Sequence, residues 1–159
     1  MDRDLQSHIS EEKRHMSRAL QMAKRAYAED EVPVGAVLVR QGEIIAEGYN
    51  QTIQKCDPTA HAELVVIQAG SHYCSNHRLI GCELYVTIEP CVMCVGAMLH
   101  ARIKRVIFGA REPRAGALQS HLRLLNQSHF NHSIDWQGGI LEAECGGLMT
   151  KFFRARRNI

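Results

Sequence analysis

No stretch of this sequence stays apolar for the roughly 18–20 residues a membrane-spanning helix needs. None is repetitive, low in complexity or composed like a linker. The first residues, Met1-Asp2-Arg3-Asp4-Leu5-Gln6-Ser7-His8, carry charge where an export signal needs an apolar segment. A cytoplasmic protein with no membrane partner is the expectation. Cysteine is also sparse: six in 159 residues, against the roughly 8–10% of a disulfide scaffold. In a reducing compartment, clustered cysteines then read as metal ligands or catalytic groups. Net charge is nearly absent, with 19 Lys+Arg against 17 Asp+Glu, so overall charge selects no partner. What is missing locally is acid. From Cys145 onward there are Lys151, Arg154, Arg156 and Arg157 and no carboxylate, and Arg102, Lys104, Arg105, Arg111 and Arg114 face Glu112 alone. Such patches suit a polyanionic partner, and equally the solvated ends of helices, where cations are favoured anyway.

At 45% apolar and 23% charged, the chain has the composition of a globular protein. Its length suits one domain, residues 1–159, burying about 68–70% of its unfolded surface. Ser10, followed by Glu11 and Glu12, reads as a helix N-cap, and Met16, Ala19, Leu20, Ala23, Ala26 and Tyr27 recur at helical spacing. Pro33 closes that segment. Residues 34–39 and 44–49 read as two strands joined by a Gln41-Gly42 turn. Asp57-Pro58 predicts a helix start ahead of 61–69. A strand is expected at 83–88, a helix opening at Pro90 and running through His100, and a strand at 105–108. Residues 110–132 show no clean period and are expected to be loop with at most one helix, before a final helix at 140–157. A hairpin followed by alternating helix and strand predicts an α/β fold, a three-layer α/β/α sandwich on a mixed sheet.

Two short motifs carry chemistry: His61-Ala62-Glu63 and Pro90-Cys91-Val92-Met93-Cys94. Cysteines three apart on a helix point to one side, and Pro90 sets them at a helix N-terminus, where the partial positive charge favours thiolate. Thiolate and imidazole are the usual ligands of zinc. Three protein ligands leave a fourth position open for water, the mark of a catalytic site, and zinc lowers the pKa of such a water toward about 7. Glu63 then fits as a proton carrier beside that water. Positions two apart do not share a helical face, so the metal must lie off the N-terminal end of the helix. The same cysteines could instead be a redox pair, or half of a closed structural site completed by Cys56, Cys74, Cys82 or Cys145.

The combination resembles the signature of the zinc-dependent nucleobase deaminases of the cytidine/deoxycytidylate superfamily. The resemblance extends over Glu31-Val32-Pro33-Val34-Gly35-Ala36-Val37 and Asp57-Pro58-Thr59-Ala60 ahead of His61, and three later stretches narrow it to the bacterial tRNA-specific adenosine deaminases: Phe108-Gly109-Ala110-Arg111, Asn131-His132, and Phe152-Phe153-Arg154 with Arg156-Arg157. The likeness runs from about Ala19 to Arg157. It implies a cytidine-deaminase-like fold with a five-stranded sheet, one Zn(2+) per subunit held by His61, Cys91 and Cys94, and Glu63 as the catalytic acid and base. The implied reaction is hydrolytic conversion of the wobble adenosine (position 34) of a tRNA anticodon to inosine, with release of ammonia.

By the same resemblance, Asn50 reads the purine edge, and Val34, Ala62 and Ile88 border the base. Arg111, Glu112, Asn131, His132, Phe152, Phe153, Arg154 and Arg157 hold the flanking nucleotides of a splayed anticodon loop, and the enzyme is a homodimer whose protomers help build each other's RNA surface. The chain departs from the family pattern at Glu112, where Asp is usual, at Ile88, where Leu is usual, and at Arg114-Ala115-Gly116 in place of Lys-Thr-Gly. It also lacks the longer basic tail of some members. The competing readings are a deaminase of a free base or nucleoside, such as guanine or cytidine, and a zinc-stabilised RNA-binding module without catalysis. Glu63 argues against the second, and the basic final helix with its paired Phe argues against the first.

Overall fold

The computed structural model describes residues 2–127 and 130–157. In chain order the elements are α1 (Asp2–Ala28), β1 (Gly35–Arg40), β2 (Glu43–Tyr49), α2 (Ala62–Cys74), β3 (Cys82–Ile88), α3 (Val92–Ala101), β4 (Arg105–Ala110), β5 (Asp135–Gln137) and α4 (Glu142–Arg157), with one 3-10 turn at Leu124–Asn126. The strands form one mixed sheet in the order β2-β1-β3-β4-β5. β1 runs antiparallel to β2 and β3, whereas β3, β4 and β5 run parallel.

Alternation along the three central strands builds the layers. Ala36, Leu38, Leu84, Val86, Val106 and Phe108 meet Val66 of α2 and Met98 of α3 on one face. Val37, Val39, Tyr85 and Ile107 meet Met16 and Ala19 of α1 and Cys145 of α4 on the other. Covered on both sides, these strands read as unbroken apolar runs instead of alternating ones. The three-layer α/β/α sandwich expected from the sequence is the fold observed. Its α1 layer lies close to the sheet. A Cβ on Gly35 would stand 2.0 Å from the Ala19 carbonyl oxygen and 2.4 Å from the Ala23 nitrogen, so β1 can begin there only with glycine. Arg105 of β4 ties the same face together, donating to Glu12 of α1 at 2.6 Å and to Glu83 of β3 at 3.2 Å.

Several boundaries differ from the sequence expectation. α1 begins at Asp2, not after Ser10. Residues 2–10 are exposed and so leave no apolar period to read, while Asp2 and Asp4 suit the positive end of the helix. Asp57-Pro58 does not open α2. Asp57 Oδ1 instead accepts from the Thr59 N–H at 2.8 Å and the Thr59 hydroxyl at 2.7 Å, closing a turn, and the helix starts at Ala62. Pro90 likewise lies outside α3, which starts at Val92. β4 extends through Ala110, and among the described residues 111–132 is irregular apart from the 3-10 turn; residues 128 and 129 lie outside the described residues. β5, only three residues long, has no legible pattern, but Trp136 stacks on Phe108 at 6.0 Å between ring centroids.

Candidate active site

The two motifs meet because each sits at the start of a helix on the same layer. His61 is the N-cap of α2 and Cys91 the N-cap of α3, both with extended backbone and neither capping its own helix with its side chain. A capping Ser or Asp at such a position contributes about 1 kcal/mol. Here that contribution is forgone and the side chains remain available as ligands. Cys94, one turn into α3, is buried. His61 Nδ1 lies 3.6 Å from Cys91 Sγ and 3.4 Å from Cys94 Sγ, and all three ligand atoms lie within 4.8 Å of one another. Tetrahedral zinc with bonds of about 2.0–2.1 Å to nitrogen and 2.3 Å to sulfur requires N···S edges of about 3.5 Å. The donor set and its spacing therefore fit zinc.

Among the described residues no other group of His, Cys, Asp or Glu is arranged to hold a metal. Cys145 packs in the α1/α4 layer, Cys82 lies at the start of β3, Cys74 ends α2 and Cys56 is exposed. The closed four-ligand site left open by the sequence is not formed, and neither is a disulfide between Cys91 and Cys94. Both cysteines feel the N-terminal end of α3. Hydrogen bonding from the Cys94 thiol, with further help from His61, brings Cys91 down to about 4 against the opposing effect of burial. Cys94, which donates that bond and is buried, is pushed up. The hydrogen bond to Cys91 raises His61, against burial.

Glu63, in the first turn of α2, is 4% exposed. Burial pushes its carboxyl above the ordinary range, offset in part by hydrogen bonding and by the charge of His61. A cavity of about 240 Å³ opens beside it, at the end of the sheet where β2 and β3 finish and β1 begins. Val34, Asn50, Ala62 and Ile88, expected around the base, line it with His61, Glu63 and Cys91, and so does Glu112, expected to meet a flanking nucleotide. Asn50 is held from behind: its Nδ2 donates to Glu31 Oε2 at 3.3 Å, and the other Glu31 oxygen accepts from the Ile53 and Gln54 N–H groups at 2.8 and 2.9 Å. A carboxylate only accepts, so the pair fixes which end of the amide faces Glu31.

The lining also includes Val32, Thr52, Glu89, Ala115 and Met149, to which the sequence assigned no role. Glu89 lies beside the Pro-Cys motif. For Met149, a full helix turn before the basic end of α4, nothing in the sequence gave a signal.

The RNA-facing candidates divide. Arg111, Arg154 and Arg157 are exposed. Phe153 is 45% exposed, but Phe152 is 4% exposed, edge-on to Tyr27 at 5.7 Å between centroids; the buried ring belongs to the core, because adjacent helical positions cannot share a face. Arg156 lies 4.1 Å over the Phe152 ring and donates to the Asp30 carbonyl at 2.6 Å. Asn131 and His132 are not part of the base pocket. They border a separate cavity with Leu99, His100 and Arg102 at the far end of α3, and His132 Nε2 lies 2.7 Å from the Ile103 carbonyl oxygen. Glu112 turns its Oε1 to the Arg114 N–H at 2.9 Å.

Residues 9–110 match the family model of the cytidine and deoxycytidylate deaminase zinc-binding region. The chain is 45% identical to the tRNA-specific adenosine deaminase of Haemophilus influenzae, over 89% of this chain and 83% of that one. It is 42% identical to that of Bacillus subtilis, over 94% and 92%. A solved structure from a study of A-to-I editing by tRNA:A34 deaminases superposes with a TM-score of 0.83 at 42% identity, covering 85% of this chain and 98% of that chain. A guanine deaminase from Nitrosomonas europaea, 22% identical with a TM-score of 0.77, shares the fold. The chain belongs to the zinc-binding deaminases of the cytidine and deoxycytidylate type and, within them, to the tRNA-specific adenosine deaminases.

Proposed function

We infer that this chain hydrolyses the exocyclic amine of the wobble adenosine in a tRNA anticodon, giving inosine and ammonia. The observation that carries this reading is the joining, in one small cavity, of a three-ligand zinc group, a buried carboxylate and apolar walls sized for a base. His61, Cys91 and Cys94 would hold the zinc ion, which when bound supplies Lewis acidity that makes a water acidic near neutral pH. Glu63, next to the ligands and shielded from solvent, accepts a proton from the attacking water and delivers it to purine N1, then takes the proton of the C6 hydroxyl so formed and passes it to the amine, which leaves as ammonia while the C6 carbonyl forms. Burial raises the affinity of Glu63 for protons and a neighbouring cation lowers it, a balance that suits both directions of transfer. Val34, Ala62 and Ile88 exclude water from the base, and Asn50, its amide oriented by Glu31, hydrogen-bonds the purine edge.

At the rim of the pocket, Arg111 and Glu112 follow β4, and outside it Phe153, Arg154 and Arg157 stand on the exposed side of α4, where flanking nucleotides of a splayed loop can lie on an aromatic ring and guanidinium groups. Asn131 and His132 lie outside the base pocket, at the far end of α3; in a homodimer they would serve the RNA surface of the second copy. A tRNA substrate supports a cytoplasmic enzyme.

The test is incubation of the zinc-loaded protein with an anticodon stem-loop carrying a wobble adenosine, inosine being read by mass. Inosine at that position, lost by at least about a thousandfold in Glu63→Ala, is the expected result. Deamination of free guanine, cytidine or adenosine with none on the stem-loop would replace this reading with that of a small-molecule deaminase.

A further inference from the structure

Glu89 is a second buried carboxylate at the site, 3% exposed, and takes no part in the proton transfers above. It follows Ile88 at the end of β3 and precedes Pro90-Cys91. Its two oxygens accept five hydrogen bonds, and every donor belongs to one loop. Oε1 takes the Glu112 N–H at 3.2 Å and the Ser120 hydroxyl; Oε2 takes the N–H groups of Leu118, Gln119 and Ser120 at 3.2, 2.8 and 2.9 Å. The next carbonyl along, that of Pro90, accepts from the Ala117 N–H at 2.9 Å. The loop is closed down onto this carboxylate: a Cβ on Gly116 would lie 2.4 Å from both Glu89 Cδ and Oε2.

Residues 111–123 contain no helix or strand, so their backbone N–H groups have no ladder to join, and burying them unpaired would cost roughly 1–3 kcal/mol each. An acceptor-only side chain with two oxygens is the one group that can satisfy so many donors at once. What the loop carries is the open side of the base pocket. Glu112 and Ala115 line the cavity, and Arg111 and Arg114 are exposed on the same segment.

We propose that Glu89 is a positioning residue for substrate recognition: its carboxylate shapes the 112–120 loop into the pocket wall and basic rim that receive the RNA, leaving the zinc ligands and Glu63 to the chemistry. The inference rests on the tRNA reading for its substrate, but its structural core does not. Glu89→Gln keeps the shape, removes the charge and turns an NH2 group toward backbone donors. Hydrogen exchange of the zinc-loaded variant is expected to accelerate by about tenfold or more across 112–120, with β1 and α2 unchanged. Zinc content should stay at one per chain. On the anticodon stem-loop, KM should rise by about tenfold while kcat stays within about threefold.

Gly116→Ala perturbs the same contact from the loop side with Glu89 intact, and should show the same exchange and the same KM rise. Unchanged loop exchange in Glu89→Gln overturns the proposal. So does a fall in kcat at constant KM, which would put the carboxylate in the chemistry, or loss of zinc, which would make it a support for Cys91. If the wild type edits no stem-loop, the tRNA reading has failed, and the exchange measurement still decides whether Glu89 shapes the loop.

Discussion

Phe152 and Phe153 are neighbours in sequence and opposites in environment. The first packs its ring against Tyr27 and beneath Arg156, and the second meets the Phe152 ring edge-on at 5.3 Å and turns the rest of its surface to solvent near Arg154 and Arg157. Phe152→Ala should therefore cost about 3–5 kcal/mol of stability through the cavity it leaves, whereas Phe153→Ala, which loses only the edge contact with Phe152, should cost less than about 1.5 kcal/mol. Their effects on RNA should reverse: loss of an exposed stacking platform costs about 1–3 kcal/mol per base, so Phe153→Ala should weaken stem-loop affinity by about five- to a hundredfold. Chemical denaturation and a binding titration on both variants check this, and a stability loss at Phe153 equal to that at Phe152 would contradict it. The paired Phe were legible in the sequence as a motif but not as two roles. Helical phase relative to the core decides between them, and α4, with Gly146-Gly147 interrupting its pattern, gives too weak a period to fix that phase. At Glu63 the reverse holds: the role proposed for it could be read from residue type and spacing, because the proposed chemistry needs a carboxylate next to an open ligand position whatever the fold.

Among the elements, α1 shows how a helix can be right in type and wrong in extent. Its buried stripe, Met16, Ala19, Ala23 and Ala26, is the part a periodicity can reveal; its first turns, residues 2–10, are exposed and carry no such stripe. The stripe also hides an ionisable group. His15 is 2% exposed, its ring 5.1 Å from that of Tyr85, and neither ring nitrogen has a hydrogen-bond partner among the described residues. Glu11 Oε1 stands 3.7 Å from Nε2, beyond hydrogen-bonding reach. Burial first, then the Arg14 guanidinium, holds the imidazole below its ordinary range, against the pull of Glu11 and Glu83. The unfolded chain takes up a proton at His15 near pH 6.5, where the folded chain does not. The unfolded state thus binds more protons in that window, and stability falls as pH drops below about 6.5, by at most about 1.4 kcal/mol per pH unit from this group. Above about pH 7.5 the group is neutral in both states and contributes no slope. Urea midpoints at pH 7.5 and 5.5 should differ less in His15→Leu than in the wild type; an equal acid loss in both would remove His15 as the cause. The helix starts at His61 and Cys91 were shifted from expectation for a related reason: proline marks where a helix can begin, but the observed N-caps are the ligands themselves.

For the whole molecule the question is whether zinc makes the fold or only completes it. Its ligands join the N-termini of α2 and α3, which already pack on one face of the sheet through Val66, Met98, Leu84 and Phe108. Zinc therefore closes a site on a body that has its own core, unlike small zinc-dependent modules that unfold without metal. Binding to the folded state alone stabilises it by RT ln(1 + [Zn]/Kd), about 4 kcal/mol at a thousandfold excess over Kd. For a chain of this size that corresponds to about 8–16 °C in melting temperature. Chelation should consequently abolish deamination and lower the melting temperature by roughly that amount, with the far-ultraviolet circular dichroism at 25 °C unchanged and both losses reversed by added zinc. Collapse of the secondary structure on chelation at 25 °C would show that the sheet and its helices depend on the metal, and that the apolar layers on either side of the sheet are not sufficient to hold them.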